Sequence, residues 1–367
     1  MNASRLYCAG ISAPDPRPRP TTLHPMKRPS SISVALLLAG AALASCSSPS
    51  KAEELYGLTD EELLGVYLEN ALYYVELNDW DRVIDQATRG LELDPENERF
   101  QLMFGRAHLM RGDRDSIQMA IDMFEQMANQ DDFRVQMTWG AAIERKGVFY
   151  DEAAEAVRTG RRKTESSDPI ERADELSAIA REHWRDAQSK YGRSLELRTG
   201  EPEPMGGMVR TSAFLEEYEA SVQWARDLID AVRASQRLVD MQMEENDLTA
   251  AREAKLFKDQ RTNRDLEVKA RLHIATLERQ LGRLAGASDQ FDAIIALDPG
   301  LVVAHSLQAQ VLFELGEFRR AKDAINRFIE LKARTGESSV SDPEIVRAYD
   351  MVDRCDEALE RERRRRG

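Results

Sequence analysis

The residue types able to do covalent or metal chemistry are few and scattered in this 367-residue chain. Its five histidines, His24, His108, His183, His273 and His305, stand singly, and none forms an H-x-x-x-H pair on one helix face. Without such a pair, or cysteines at ligand spacing, the sequence offers no local metal site. His108 reads as a packed, hydrogen-bonded core residue. No G-x-G-x-x-G, phosphate-binding P-loop or G-x-S-x-G occurs, so phosphate cradling and serine nucleophile chemistry lack their local geometry. Acidic neighbours such as Glu53-Glu54, Glu216-Glu217 and Glu244-Glu245 read as solvated faces in a chain with 65 carboxylates. The sequence therefore predicts no enzyme, no cofactor and no metal. Of the three cysteines, Cys8 and Cys355 have unremarkable surroundings, and Cys46 closes the most apolar run of the chain.

That run, Ile32 to about Ala44, spans about thirteen residues, too short for a bilayer-spanning helix of ~20. Met26, Lys27 and Arg28 precede it, which gives the basic-then-apolar order of a secretory signal. Its end, Leu43-Ala44-Ser45-Cys46, resembles the lipobox of bacterial lipoproteins. The resemblance implies lipidation of Cys46, cleavage before it, and anchoring to a membrane through that lipid, since two or three acyl chains hold where one is marginal. Ser47 after the cysteine leans towards an outer-membrane location facing the periplasm. Residues 1–25 carry prolines and no periodicity, and are expected to be either sequence upstream of the true start at Met26 or a disordered leader. Residues 26–45 are then the signal and 46–58 a linker. Loss of residues 1–45 removes five basic residues and one acidic residue, leaving 51 − 5 = 46 against 65 − 1 = 64, a net charge of −18. Such a balance argues against nucleic acid as a partner.

The remainder repeats itself. Ala275 to Ala309, Gly282 to Gly316 and Ala287 to Ala321 are each 34 residues apart. Leu-Asp-Pro closes one segment at Pro95 and another at Pro299, where a helix must stop. Earlier segments continue the pattern with Gly105, His108, Gly112, Ala120 and Phe124, then with Trp139-Gly140, Gly147, Ala153 and Val157. In length and in these positions the segments resemble tetratricopeptide repeats, which implies an all-α solenoid of helix-turn-helix units. Five units are expected, at 62–97, 98–130, 132–163, 266–300 and 301–334, the second and third with about three and one extra residues near their turns. Thr59 and Glu62 form a capping box before the first, and Ser341 and Glu344 another before a last, capping helix with a basic tail. The domain plan is an N-terminal array at 59–164, a region of long helices at 165–262, a C-terminal repeat pair at 263–335 and the cap at 336–367.

The region 165–262 does not obey the repeat. Asp168 and Pro169 mark a helix start, followed by Ile170, Ala173, Ala180, Trp184, Ala187 and Tyr191 at helical spacing. "RTGEPEPMGGM" interrupts the helical pattern, and a second run follows through Leu215, Tyr218, Val222, Ala225, Ile229 and Val232. The two runs are expected to pair as an antiparallel hairpin that interrupts the solenoid, or else to be two degenerate repeats.

In the resembled family the first helix of each unit lines a groove. Counted from the consensus glycines, the groove positions of the second and third units are Arg99, Leu102, Arg106, Leu109, Met110, Arg134, Met137, Ala141, Glu144 and Arg145. Four of these ten are arginine, whereas the whole chain has 41 arginines in 367 residues. Guanidinium forks suit carboxylates, and the Leu and Met between them suit apolar side chains, so the expected guest is an acidic and apolar protein or peptide. The function expected from these features is a lipid-anchored periplasmic scaffold in an envelope or secretion assembly. The alternative is small-solute binding beside a transporter, in a pocket supplied by the long helices.

Overall fold

The computed structural model describes residues 57–163, 168–245, 248–334 and 342–366. Cys46 and Ser341 lie outside them. The described residues are all-α, without strands, and fall into two compact units that meet in sequence at Leu215 and Glu216.

The first unit holds α1 (Asp60–Glu76), α2 (Trp80–Leu93), α3 (Glu98–Arg111), α4 (Arg114–Gln126), α5 (Phe133–Arg158), α6 (Pro169–Leu197) and α7 (Pro202–Phe214). The second holds α8 (Tyr218–Met243), α9 (Ala250–Gln280), α10 (Leu284–Leu297), α11 (Val302–Glu314), α12 (Phe318–Arg334) and α13 (Pro343–Arg366). Within each unit consecutive helices pack side by side, as expected of tetratricopeptide-type pairs. The capping box at Thr59 is formed, with Glu62 donating its amide to the Thr59 hydroxyl and accepting from the Thr59 amide. Asp168 caps α6 ahead of Pro169. Asp342 accepts from the Glu344 amide at the start of α13, a helix that packs along α12 and buries Ile345, Ala348 and Cys355.

The turns inside four of the helix pairs share one conformation. Gly112, Gly282 and Gly316 adopt φ of 75°, 74° and 81°, and Asn78 takes the same left-handed region at 55°. These are the conformations that glycine and asparagine tolerate best. Five residues later each pair buries an apolar side chain: Val83, Ile117, Ala287 and Ala321. Ile117 thus takes the slot expected for Ala120, and the α3–α4 turn is only Gly112 and Asp113, without the three extra residues expected there.

The third expected unit is not helix-turn-helix. α5 runs unbroken through Gly147, which is helical and buried. A Cβ there would sit 2.6 Å from Trp184 Nε1 and 3.2 Å from the Ala180 carbonyl oxygen. The glycine serves close approach of α5 and α6 rather than a turn. "RTGEPEPMGGM" interrupts the helical pattern as read, α6 ending at Leu197, but its second half opens a new helix: Pro202 occupies the first position of α7, and Gly207 accepts the face of the Tyr191 ring. The two long runs also do not pair with each other as expected. α6 lies antiparallel along α5, whereas α8 forms the longer hairpin with α9. Ala180 and Ala225 are both fully buried, each against the partner in its own unit.

His108 is a further correction. It is buried against Phe104, with ring centroids 4.3 Å apart, but neither ring nitrogen has a hydrogen-bond partner among the described residues. Burial, with the Arg111 charge second, pushes its pKa down, so the ring is held neutral.

Candidate functional site

α5 touches both α3 and α7, so the first helices of successive pairs stand in one row. Across that row Leu102 and Leu109 of α3, Ala141 of α5 and Met208 of α7 lie half-buried on a core that includes Ile117, Phe124, Trp139 and Tyr191. The strip is apolar and contributed by three helices. Its polar neighbours divide into two kinds.

Arg99, Arg106 and Met110 of α3 and Arg134 and Arg145 of α5 are exposed and Met137 is half-buried; Arg99 and Arg106 stand three or four residues from Leu102 and Leu109, on the same helix face. Arg134 is already engaged: it donates to both oxygens of Asp132 at 3.1 and 2.6 Å, which lowers the Asp132 pKa and raises its own. Arg145 lies 5.2 Å from the centre of the Phe149 ring. Arg99 and Arg106 have no carboxylate partner among the described residues.

Glu144 belongs to the other kind. Its position among the groove slots is buried, and both its oxygens are bound: Arg210 donates Nε and Nη2 at 2.6 and 2.9 Å, and the Tyr191 hydroxyl donates at 2.6 Å. Burial first, and the Glu144 charge second, hold the Tyr191 pKa well above the usual phenol range, so the hydroxyl remains a donor. This cluster ties α5, α6 and α7 together. Arg210 and Tyr191 are absent from the positions counted in the sequence, because their partner is 66 and 47 residues away. The only local sign was an acidic residue at a slot where a free carboxylate would repel an acidic guest.

One pair mimics a nucleophile and its base: Ser221 Oγ lies 2.7 Å from His273 Nε2. Both residues are buried, at 0% and 5% exposure, so no substrate reaches the hydroxyl. The contact joins α8 to α9, as do Arg233 with Glu267 and Asn263 with Ser235. Among the described residues no group of three or more His, Cys, Asp or Glu is placed to hold a metal ion, and no helix is long and apolar enough to cross a membrane. The row can bind carboxylates and apolar groups. It holds no accessible acid–base pair.

The chain has an all-α fold in which consecutive helices pack as neighbours within each unit. Among solved structures it is similar to a thermophilic TPR protein of Thermus thermophilus, at 13% identity and a TM-score of 0.40 over 70% of this chain and 100% of that one. It is also similar to a tetratricopeptide repeat protein from Parabacteroides merdae, at 9% identity and a TM-score of 0.31 over 80% and 99%, and to MamA, at 15% and 0.37 over 64% and 98%. Such partial superpositions carry no functional argument. No family model matches the chain, and no curated protein matches it.

Proposed function

We propose that the protein is an interaction scaffold that binds an acidic and apolar protein or peptide segment on the α3–α5–α7 row, and that lipid on Cys46 holds it to the outer membrane facing the periplasm. The observation that carries the first part is the apolar strip of Leu102, Leu109, Ala141 and Met208 beside Arg99 and Arg106. An arginine without a carboxylate partner keeps its fork for a guest, and a half-buried apolar strip gives that guest area to cover. The lipobox-like Leu43-Ala44-Ser45-Cys46 supports the second part. An assembly factor of the envelope or of a secretion system fits both features.

The test of the row is Arg99→Glu with Arg106→Glu, followed by recovery of partners from detergent-solubilised envelopes and quantitative comparison with the parent protein. Loss of an acidic partner from a double variant that melts like the parent is the expected result. Unchanged recovery removes this row as the binding surface.

A further inference from the structure

α5 does not turn at Gly147, and its second half runs on with the first half of α6 packed alongside it. A cavity of about 760 Å³ opens there, within the range of ~300–1,000 Å³ that holds a single small ligand. Its floor is apolar: Phe149, Tyr150 and Val157 from α5, Leu176 and Ile179 from α6. Its rim is cationic, with Arg114 from α4, Arg162 and Lys163 from the segment after α5, and Arg172 from α6.

The rim is not explained by the needs of the helices. Arg114 is the first residue of α4, where the helix macrodipole disfavours a cation. It has no carboxylate partner among the described residues, and its guanidinium sits 5.8 Å from the centre of the Tyr150 ring. The Tyr150 ring is held in turn by stacking on His183, with centroids 5.4 Å apart. Gly160, at φ 70°, folds the chain back after α5, and the Arg162 amide donates to the Ala156 carbonyl at 2.9 Å, which fixes the approach of Arg162 and Lys163. Neither of those two side chains has a carboxylate partner among the described residues, whereas Arg158, one turn earlier, reaches Asp174 and Glu155. Of the four rim cations Arg172 is neutralised, by Glu175 at 2.7 Å. Three cations from two segments, without a carboxylate partner among the described residues, therefore line this cleft in a chain whose net charge is −14.

We propose that this cavity binds a small organic anion with an apolar body, a carboxylate- or phosphate-headed molecule whose head meets Arg114, Arg162 and Lys163 and whose tail lies on Tyr150, Val157 and Leu176. The site uses the second half of α5 and none of Leu102, Leu109, Ala141, Met208, Arg99 and Arg106.

The experiment titrates the full chain with 8-anilinonaphthalene-1-sulfonate, a probe with one anionic head on an apolar body, and follows its fluorescence. One saturable site is expected, weakened by added salt. In Arg114→Gln with Arg162→Gln the affinity should fall by about tenfold or more, the cost of lost charge-assisted contacts, at an unchanged melting temperature. The titrations are made in an Arg99→Gln, Arg106→Gln background, which removes the unpaired arginines of the α3 face so that the saturable component reports this cavity. Octanoate or octyl phosphate should displace the probe and octanol should not, and whichever of the two anions displaces it at lower concentration identifies the head group. Lys163→Gln alone serves as a second variant should the first not fold, with a smaller loss of affinity in the same direction expected. Absence of saturable binding, equal affinity in a folded rim variant, or displacement by octanol as readily as by octanoate would overturn the proposal.

Discussion

Glu144 shows how one residue at an expected groove position can serve the fold instead of a guest. Buried and bound by Arg210 and Tyr191, it is committed to joining three helices. Removing one member of such a cluster leaves a buried charge without its counter-charge, which costs more than the pair contributes. Arg210→Ala should therefore lower stability towards the lower end of ~3–5 kcal/mol, because the Arg210 side chain is still 26% exposed. Glu144→Gln in the same chain should restore part of the loss, since it removes the orphaned charge. Urea unfolding of the single and double variants measures both. Additive losses would show that the two residues do not act as a pair.

At the scale of elements, glycines with the same sequence signature have opposite uses. Gly147 lies where Trp184 Nε1 and the Ala180 carbonyl oxygen would crowd any Cβ, whereas Gly65, in the middle of α1, has nothing within 4 Å of the same position. Alanine improves intrinsic helix propensity by about 1 kcal/mol at either site. Gly65→Ala should therefore raise stability by nearly that amount. Gly147→Ala should lower it, since overpacking costs about 1–3 kcal/mol and the obstructing carbonyl is backbone that cannot swing aside. Thermal melts of the two variants decide it. Stabilisation in both would mean that α5 and α6 do not approach so closely.

On the scale of the whole molecule, acids outnumber bases by 14, against which the cations of the α3 face and of the rim beside Tyr150 are local exceptions. Long-range attraction to an anionic membrane surface is thus opposed by net charge. The proposed anchoring therefore rests on the lipobox-like Leu43-Ala44-Ser45-Cys46 and not on charge. Intact-mass measurement of membrane fractions should find a chain that begins at Cys46 and carries diacylglyceryl mass, and Cys46→Ser should abolish the added mass. A chain that keeps Met1 with an unmodified Cys46 would refute the anchor.

Local signals made much of the fold legible. The T-x-x-E of Thr59 and Glu62, the Asp168-Pro169 start and the glycines 34 residues apart each act within a few residues of chain, through caps and left-handed turns, and each appears in the structure as read. What only the tertiary structure decided is which helices meet. Gly147 and Gly112 look alike in sequence, and it is Trp184, 37 residues further on (184 − 147), that makes the first a contact and leaves the second a turn. The α8–α9 hairpin was illegible for a related reason. α9 meets α8 through Asn263, Glu267 and His273, whose burial is balanced by Ser235, Arg233 and Ser221 on α8, so polar residues interrupt its apolar period. The groove slots could be counted from the glycines, but Glu144 is closed by Arg210 and Tyr191, and Arg114 meets Tyr150 only once α5 fails to turn. Short-range backbone preferences are written in neighbouring residues, whereas polar satisfaction and close approach are properties of partners that the chain brings together from far apart.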